Sequence, residues 1–453
     1  MDIHDILNIT QEGKFDIMYE KQIEVLINYF RNEEKKPEDY LLGIEIEHFL
    51  IHQHNLTAVS YFEDRGIENI LEALQQKGWT AEKEEGHILS LHKKEMDITL
   101  EPGGQLEISI APQKKVSRVD NIYQSFLKDL LPLLEEREIY LVNLGYQPVS
   151  LIEEIPLLPK KRYDFMYDYF KKQGKYAHNM MKGTAAVHVC YDFSSERDFI
   201  KKSRVASFLV PIIYAVLDNT PFFEGEINTT PAIRALVWSN CDDSRSGLLP
   251  DVFKDSYSYR RYAEYILNTS PVVWKQSGEL KYISDRPIRD LMDPEKITRE
   301  ELEYILTMVF PEIRIKNCVE IRAADSLPYP YNIGYLALLQ GLVYDSENLD
   351  RLYDTVLQYD PRELLQLRES ILKQGLEARI AGQNIRDYFL QLVDYALHSV
   401  PRDSRDYVQK LKKMFTGGAN PRQRTLSNLN ENRKKALDWC LVNGEQGRAQ
   451  FDF

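Results

Sequence analysis

The chain has 453 residues, 43% of them hydrophobic, and its 57 lysines and arginines against 70 aspartates and glutamates give a net charge of −13. A chain of this length can bury a large core, in one big domain or in two closely packed ones. The negative charge excludes a generic nucleic-acid or anionic-membrane surface, although Mg²⁺ and a few arginines would still allow a nucleotide to bind.

Three features of the sequence bear on the cellular location: the N-terminal residues, the length of the apolar runs and the spacing of the cysteines. No apolar run reaches the length of a membrane-spanning helix, and residues 1–30 begin with acidic residues rather than with a basic leader. The cysteines lie far apart and form no Cys-x-x-Cys pair, which argues against a zinc module or a disulfide scaffold. We therefore expect a cytoplasmic protein with reduced thiols, and redox control is not predicted.

The predicted elements begin with a helix. Within residues 1–40, apolar side chains at helical spacing, such as Ile23, Leu26 and Phe30, precede a charged run. This pattern predicts an N-terminal helical segment over residues 1–40, ahead of a main α+β domain over residues 41–330. Further helical spacing occurs over residues 116–136 and 203–217, where Pro211 is expected to kink or break the second helix.

Four short segments place acidic residues or a histidine on one face of a predicted strand and apolar residues on the other. They are residues 42–49, 100–109, 185–191 and 318–325. Because side chains alternate along a strand, Glu45 and Glu47 share one face while Ile44 and Ile46 can enter a core. The same alternation adds four side chains to the polar face: Glu107, His188, Glu320 and Arg322.

Helical spacing interrupted by Pro and Gly dominates the remainder of the chain. We expect residues 331–415 to form a helical C-terminal part packed on the same domain. A Gly-Gly-Ala-Asn-Pro stretch at residues 417–421 then indicates a linker, so residues 416–453 are predicted as a linker and tail.

The polar strand faces favour a metal site. Carboxylates that converge on one concave surface repel each other unless cations lie among them, and Mg²⁺ prefers oxygen ligands. Several metal ions held in this way most often serve phosphoryl chemistry. The alternative is the outer face of a half-solvated antiparallel sheet, which explains any one segment well but four segments less well.

Glycine-rich phosphate loops are absent from the sequence. Neither Gly-x-x-x-x-Gly-Lys-Ser/Thr nor Gly-x-Gly-x-x-Gly occurs. A nucleotide would therefore be anchored through metal ions and carboxylates on the sheet rather than at a helix N-terminus.

Several motifs, in the same order along the chain, resemble the plant-type glutamate–cysteine ligase family. They are residues 45–47, 100–109, 241–250 with Arg-Ser-Gly-Leu-Leu-Pro, 262–267, 309–314 and 319–326. The resemblance covers the chain from about residue 41 to residue 328. Because this family is similar in fold to glutamine synthetase, the resemblance implies a curved antiparallel sheet that forms a funnel-shaped site for Mg²⁺, ATP and glutamate.

The chemistry of such a ligase assigns roles to the polar face. ATP must phosphorylate a carboxylate, and metal ions must offset charge on the phosphates and on the attacking group. Two or three Mg²⁺ ions, for which Mn²⁺ can substitute, are expected. Their predicted ligands are Glu45, Glu47, Glu101, Glu107, His188 and Glu320. His188 is alternatively a hydrogen-bonding partner of a phosphate, since plant-type relatives commonly carry Gln there.

Further residues are assigned to catalysis and to substrate binding. Arg322 and Glu101 are the predicted catalytic residues, with the Arg322 guanidinium stabilising the transferring phosphoryl group. The alternative role of Arg322 is a salt bridge to a neighbouring carboxylate. The resemblance implies that Arg234 or Arg245 clamps the α-carboxylate of glutamate and that Thr184 lies on a substrate-facing loop.

The resemblance implies an ATP- and Mg²⁺-dependent ligase that joins the side-chain carboxylate of glutamate to the amine of cysteine through γ-glutamyl phosphate. Two alternatives stay open: a ligase that uses another amine, and a catalytically idle nucleotide-binding protein. The expected partners are the small-molecule substrates, without nucleic acid or membrane. The oligomeric state is not predicted.

Overall fold

The computed structural model describes residues 3–276, 278–429 and 432–451, with the backbone alone at residues 3–16, 250 and 276. Its strands are β1 (Leu42–His52), β2 (Thr80–Glu84), β3 (His87–Lys93), β4 (Met96–Leu100), β5 (Leu106–Gln113), β6 (Ile139–Val142), β7 (Ala186–Tyr191), β8 (Phe222–Phe223), β9 (Glu226–Ile227), β10 (Ser246–Gly247), β11 (Val272–Gln276), β12 (Glu279–Ile283), β13 (Phe310–Pro311), β14 (Ile313–Ile315), β15 (Val319–Asp325), β16 (Arg379–Ile380) and β17 (Gln383–Asn384).

Helices separate and flank these strands. They are α1 (Ile3–Asn32), α2 (Ile67–Gln75), α3 (Val116–Glu135), α4 (Lys161–Phe170), α5 (Ala177–Gly183), α6 (Glu196–Val216), α7 (Ile233–Trp238), α8 (Tyr259–Asn268), α9 (Arg299–Leu306), α10 (Tyr331–Val343), α11 (Ser346–Val356), α12 (Pro361–Gln374), α13 (Ile385–Ser399), α14 (Arg405–Phe415), α15 (Pro421–Ser427), α16 (Arg433–Leu437) and α17 (Glu445–Arg448). In the part of the chain that the structure describes, none of them has the length and hydropathy needed to cross a bilayer.

A nine-stranded sheet organises the molecule. Its order is β14-β15-β7-β1-β5-β4-β3-β2, and β6 pairs with the second half of β1. Every pairing in this sheet is antiparallel. The predicted α+β class with a large antiparallel sheet is therefore confirmed, and β1 is its centre.

The register brings the predicted strand faces together. Glu47 on β1 lies opposite Glu107 on β5, and Glu45 lies opposite His188 on β7. On the other face, fully buried aliphatic residues such as Ile46 pack under the helices α3, α6 and α10. Burying this apolar face on one side leaves the carboxylates together on the other.

The segment 100–109 is not one strand. Leu100 ends β4 and Leu106 begins β5, with Glu101 and two glycines in the turn between them. Gly103 admits no side chain, because a Cβ there would lie 2.5 Å from the carbonyl oxygen of Lys182. This turn therefore lies against the end of α5, beside the start of β7.

Predicted helices occur largely where the spacing placed them. Helix α1 is described from Ile3, so Met1 and Asp2 of the predicted segment lie outside the described residues, and the helix ends at Asn32. Helix α3 matches its prediction. Pro211 does not break α6, which continues to Val216. Burial of nearly the whole second half of α6 compensates for the backbone hydrogen bond that proline removes.

Residues 331–415 form the helices α10 to α14, as expected, and α10 packs on the sheet. The prediction of a tail after residue 415 is wrong for the described residues of that segment. Trp439 and Cys440 are buried, and Leu441 forms a β-bridge with Val142 at the end of β6. These apolar side chains belong to a satellite core that the preceding chain builds, which local composition does not reveal.

Candidate active site

A cavity of about 390 Å³ lies over the carboxylate-rich face of the sheet. Eight of the ten residues predicted for the site line it: Glu45, Glu47, Glu101, Glu107, Thr184, His188, Arg234 and Arg322. The lining therefore combines carboxylates and an arginine of the sheet, Arg322 on β15, with Arg234 on helix α7. Two predicted residues, Arg245 and Glu320, lie outside the lining.

Three of the lining residues form a compact group suited to a metal ion. Glu45, Glu107 and His188 each offer one ligand atom, and these atoms lie within 4.8 Å of one another. Nδ1 of His188 is 3.1 Å from a Glu45 oxygen, whereas its Nε2 is buried without a hydrogen-bond partner among the described residues. A buried acceptor nitrogen that lacks a partner beside two carboxylates fits a divalent cation.

The electrostatics of this group also favour a cation. Burial, and then the charges of Glu45, Glu101 and Glu47, raise the pKa of Glu107 well above its ordinary value. Burial and the charge of Glu101 likewise raise the pKa of Glu47, although two arginines oppose the shift. Burial and mutual repulsion thus disfavour the charged forms of Glu107 and Glu47, and a divalent ion would relieve the repulsion.

Burial lowers the pKa of His188 to about 4, with the charge of Arg322 acting in the same direction. The imidazole is therefore neutral near pH 7. Neutral imidazole is the form that ligates metals, so His188 is ready to act as a ligand.

Glu320 is fully buried among three cations. Its oxygens lie 2.6 Å from Nε of Arg314, 2.9 Å from Nζ of Lys316 and 3.3 Å from Nη1 of Arg322. Burial alone would raise the pKa of Glu320, but these three charges hold it well below its ordinary range. A metal ion would have to compete with three cations for Glu320, so its role as a ligand stays a prediction.

The Arg322 side chain combines the two roles that the sequence left open. It makes a salt bridge to Glu320, and it also lines the cavity. Its Nε is buried without a hydrogen-bond partner among the described residues. The guanidinium therefore retains donor capacity for a bound anion.

The structure gives Arg234 and Arg245 different surroundings. Arg234, on α7, lines the cavity, and its Nε and Nη1 have no hydrogen-bond partner in the described part of the chain. Arg245 is enclosed by protein, with its Nε 2.6 Å from Asp242 and its Nη1 donating to the carbonyl oxygens of Ser270 and Met308. The expectation that Arg245 can clamp a substrate is therefore corrected, because its donors are occupied and it does not reach the cavity.

The turn after β4 positions Glu101 and Thr184 at the rim. Nε2 of Gln105 donates to the carbonyl oxygens of Met181 and Thr184, at 3.2 and 2.9 Å. Thr184 donates its hydroxyl to the carbonyl oxygen of Met180 at 2.8 Å. Thr184 lines the cavity, and its hydroxyl oxygen retains capacity to accept a hydrogen bond.

Several lining residues were not predicted as site residues from the sequence. They are, among others, Lys160, Arg162 and Tyr163 at the start of α4, Trp238 on α7 and Arg314 on β14. The guanidinium of Arg234 lies 5.2 Å from the Trp238 ring centre, and that of Arg322 lies 5.7 Å from it. The alternation Ile313-Arg314-Ile315 was a usable signal, whereas nothing local indicated that α4 folds over the sheet.

A second cavity of about 250 Å³ adjoins the first at Glu45. It is lined by the start of β1, the end of β5 and the residues before β15, including Lys316. Because Glu45 lines both cavities, a ligand in either one can approach the metal-ligand group from its own side.

Comparison with known proteins gives consistent matches. The Glutamate-cysteine ligase family 2 (GCS2) matches residues 41–441. Glutamate–cysteine ligase B, chloroplastic, from Oryza sativa subsp. japonica is 31% identical over 427 residues, which cover 92% of this chain and 85% of that protein. The chloroplastic glutamate–cysteine ligase of Arabidopsis thaliana is 29% identical over 426 residues, covering 92% and 81%.

One solved structure shares the fold. A glutamate–cysteine ligase from Francisella tularensis in complex with AMP aligns with a TM-score of 0.52 at 12% identity, covering 88% of this chain and 87% of that one. At this level of identity, the likeness shows the shared architecture of the sheet and its helices.

These matches decide two expectations. The prediction of a cytoplasmic location is contradicted, because both plant relatives are chloroplastic proteins. The family resemblance is confirmed, since the match spans most of the chain and includes all the strands that carry the site. The chain belongs to the glutamate–cysteine ligase family 2.

Proposed function

We propose that this chain is an ATP-dependent ligase that joins the side-chain carboxylate of glutamate to the amine of cysteine, giving γ-glutamylcysteine, ADP and phosphate. The observation that carries the proposal is a cavity lined both by the metal-ligand group of Glu45, Glu107 and His188 and by Arg234 and Arg322. Membership of the family and the names of the plant relatives support it.

The proposed cofactor is Mg²⁺, with Mn²⁺ as a substitute. Glu45, Glu107 and His188 would hold one ion, and Glu47 and Glu101 line the same cavity for a second or third. When bound, the metal offsets the negative charge of the nucleotide phosphates and of the substrate carboxylate. The fit is supported by the unpartnered Nε2 of His188 and by the raised pKa of Glu107.

Glutamate is proposed to bind at the α7 wall. Two nitrogens of the Arg234 guanidinium, Nε and Nη1, have no partner among the described residues and can donate to an α-carboxylate. Thr184 can accept a hydrogen bond from an ammonium group, because its own proton is given to Met180. These contacts would hold the amino-acid end of glutamate and leave its side-chain carboxylate directed at the sheet.

ATP is proposed to enter from the second cavity. Lys316 lines the second cavity, with Nζ 2.9 Å from Glu320 and 4.0 Å from Glu45, which borders both cavities. Arg322 and Arg314 line the first cavity. Phosphates that reach from one cavity towards the other would therefore pass among fixed positive charges.

The chemical sequence follows from this arrangement. A side-chain carboxylate oxygen of glutamate attacks the terminal phosphorus of ATP, and ADP leaves. The amine of cysteine then attacks the acyl carbon, phosphate leaves, and a proton from the amine passes to a carboxylate of the cavity, for which Glu101 is the proposed acceptor. The free Nε of Arg322 is proposed to donate to the phosphoryl oxygens during transfer.

A panel of amines tests the proposal and its two alternatives. Purified protein with ATP, Mg²⁺ and glutamate should release phosphate in an amine-dependent manner, with cysteine giving the highest kcat/KM. 2-Aminobutyrate should react measurably, since a small change in a side chain is worth about 1–3 kcal/mol of discrimination. The Glu45→Gln variant, prepared in parallel, controls for contaminating ATPases.

Two outcomes would contradict the assignment at different levels. Phosphate release with another amine but not with cysteine would replace the cysteine assignment and keep a γ-glutamyl ligase. ATP binding without any turnover across the panel would favour the catalytically idle protein.

A further inference from the structure

Helix α7 presents Arg234 and Trp238 to the cavity, but it is poorly able to hold itself in place. It has six residues, too few to be stable through its own hydrogen bonds. Its N-cap residue, Ala232, has a φ of 50°, a left-handed conformation that is unfavourable for alanine. Arg234 has one direct contact to the sheet, from its Nη2 to the carbonyl oxygen of Arg322 at 3.1 Å, and its position otherwise depends on what braces α7 from outside.

Arg368 supplies such a brace from the C-terminal helices. It projects from α12, and its Nη2 donates to the carbonyl oxygen of Ala235, the residue after Arg234, at 3.1 Å. The same nitrogen lies 2.5 Å from the Oε1 of Glu312. The carbonyl oxygen of Glu312 accepts a hydrogen bond from the backbone N–H of Arg322 at 3.0 Å. One guanidinium thus connects the helix of Arg234 to the strand of Arg322.

The connection is buried and has a defined geometry. The Glu312 side chain is 2% exposed and the Arg368 side chain 18%. The Tyr214 hydroxyl donates to the same Glu312 oxygen at 2.8 Å. Both contacts are made by one terminal nitrogen, Nη2, which a lysine ammonium, on a side chain one bond shorter, replaces poorly. Neither Arg368 nor Glu312 is among the described residues that line the cavity.

A second arginine braces the other end of α7. Asp218 accepts a hydrogen bond from the backbone N–H of Ala232 at 3.0 Å, and Arg422 on α15 lies 2.7 Å from the same oxygen. Both braces come from the chain after residue 330, although the ligand-bearing strands precede it. The C-terminal helices therefore reach the substrate wall through arginines.

We propose that Arg368 is a positioning residue for glutamate: through Ala235 and Glu312 it sets the distance between Arg234 and Arg322. This inference rests on the proposed function, in which Arg234 binds the α-carboxylate and Arg322 contacts the phosphoryl group. A small displacement of α7 would then weaken glutamate binding before it disturbs ATP binding.

The test uses two variants that avoid an uncompensated buried charge. Arg368→Lys retains the charge on a side chain one bond shorter, and Arg368→Gln combined with Glu312→Gln removes both charges together. We expect KM for glutamate and its calorimetric dissociation constant to rise about tenfold or more in both variants, with KM for ATP within about twofold of wild type. Arg362→Gln, an exposed change on the same helix, is the matched control and should leave every parameter unchanged.

The outcomes separate this inference from the proposed function. Unchanged glutamate affinity in both variants would overturn it, as would equal losses for glutamate and ATP together with a lowered melting temperature, which indicate a merely structural role. If the wild-type protein binds glutamate but shows no turnover, only the ligase assignment is overturned. The calorimetric titrations of the variants then still decide the role of Arg368. A wild type that binds no glutamate overturns both.

Discussion

Arg234 and Arg245 lie in neighbouring regions of the molecule and are buried to nearly the same extent, at 3% and 1% exposure. Around Arg245, each guanidinium nitrogen donates to protein: Nε to Asp242, Nη1 to two carbonyl oxygens and Nη2 to the Tyr169 hydroxyl. Around Arg234, one nitrogen donates to the carbonyl oxygen of Arg322, and the other two have no partner among the described residues.

The difference shows that burial and charge do not identify a binding residue by themselves. A buried cation whose donors are all used stabilises the fold, whereas one with unused donors at a cavity wall is suited to a ligand. The resemblance allowed either arginine to clamp a substrate, and the hydrogen bonds separate them.

The largest effect should come from replacing a carboxylate in the cavity that Arg234 lines. The comparison of Arg234 with Arg245 is meaningful only if that cavity is the reaction site. Glu107→Gln should lower turnover about a thousandfold or more, because a metal ligand is worth several kcal/mol of charge stabilisation. Removing one of several repelling carboxylates should leave the melting temperature of the metal-free protein unchanged or raised. Glu82→Gln, an exposed change on β2 of the same sheet, is the control.

Steady-state kinetics and thermal unfolding in a chelator check both parts of this prediction. Activity near wild type with a lowered melting temperature would make Glu107 a structural residue. Excess chelator should also abolish wild-type turnover, and Mg²⁺ or Mn²⁺ should restore it.

Arg234→Gln should have the next largest effect. Losing the guanidinium and its unused donors should lower kcat/KM for glutamate by about 100- to 1000-fold, the scale of one lost donor in a charge-stabilising site. Stability should change little, since the guanidinium makes one hydrogen bond to protein that the structure describes. Steady-state kinetics and melting curves of the variant and wild type measure both quantities. A loss of stability without a kinetic effect would show that Arg234, like Arg245, has a structural role.

Arg245→Gln should show the opposite profile. It leaves the Asp242 carboxylate buried beside an uncharged side chain, which typically costs about 3–5 kcal/mol of folding free energy. Denaturant unfolding measures this loss. The specific activity of the remaining folded protein, normalised by active-site titration, should stay within about twofold of wild type. The double variant Arg245→Gln with Asp242→Asn should recover part of the stability, and a glutamate KM that rises without loss of stability would return Arg245 to the substrate site.

The last prediction concerns the pH dependence of stability at Asp325, at the end of β15. Burial raises its pKa to about 7, against the opposing charge of Arg234. Because the unfolded carboxyl ionises near pH 4, the folded state holds an extra proton between about pH 4 and 7, and stability falls as pH rises through that range by up to about 1.4 kcal/mol per unit. Asp325→Asn should remove this slope and be the more stable protein above about pH 7.

Urea unfolding of both proteins across that pH range measures the difference. Parallel stability curves for wild type and Asp325→Asn would show that Asp325 is ionised in the folded state. In that case its charge would pair with Arg234, and the donors of Arg234 would be less free than the comparison requires.

Local alternation predicted the strand faces because it depends on neighbouring residues alone. Glu45 and Glu47 share a face for the same steric reason in any strand, and the structure pairs them with His188 and Glu107. The two cations that reach Glu320 from β14 and the following turn, Arg314 and Lys316, were not predicted. Alternation over residues 313–315 indicates the face on which Arg314 lies, but the carboxylate that it meets depends on how β14 pairs with β15, which no local pattern specifies.

The sequence by itself determined the family, the α+β class and most residues of the polar face, since these depend on motif identity and on side-chain periodicity. Tertiary structure alone decided which arginine faces the cavity, that residues after 415 pack into the molecule, and that α12 braces α7. The physical reason is that hydrogen-bond completeness and burial are properties of long-range pairs, and residues far apart in the chain meet only when the sheet and its helices close around a common core.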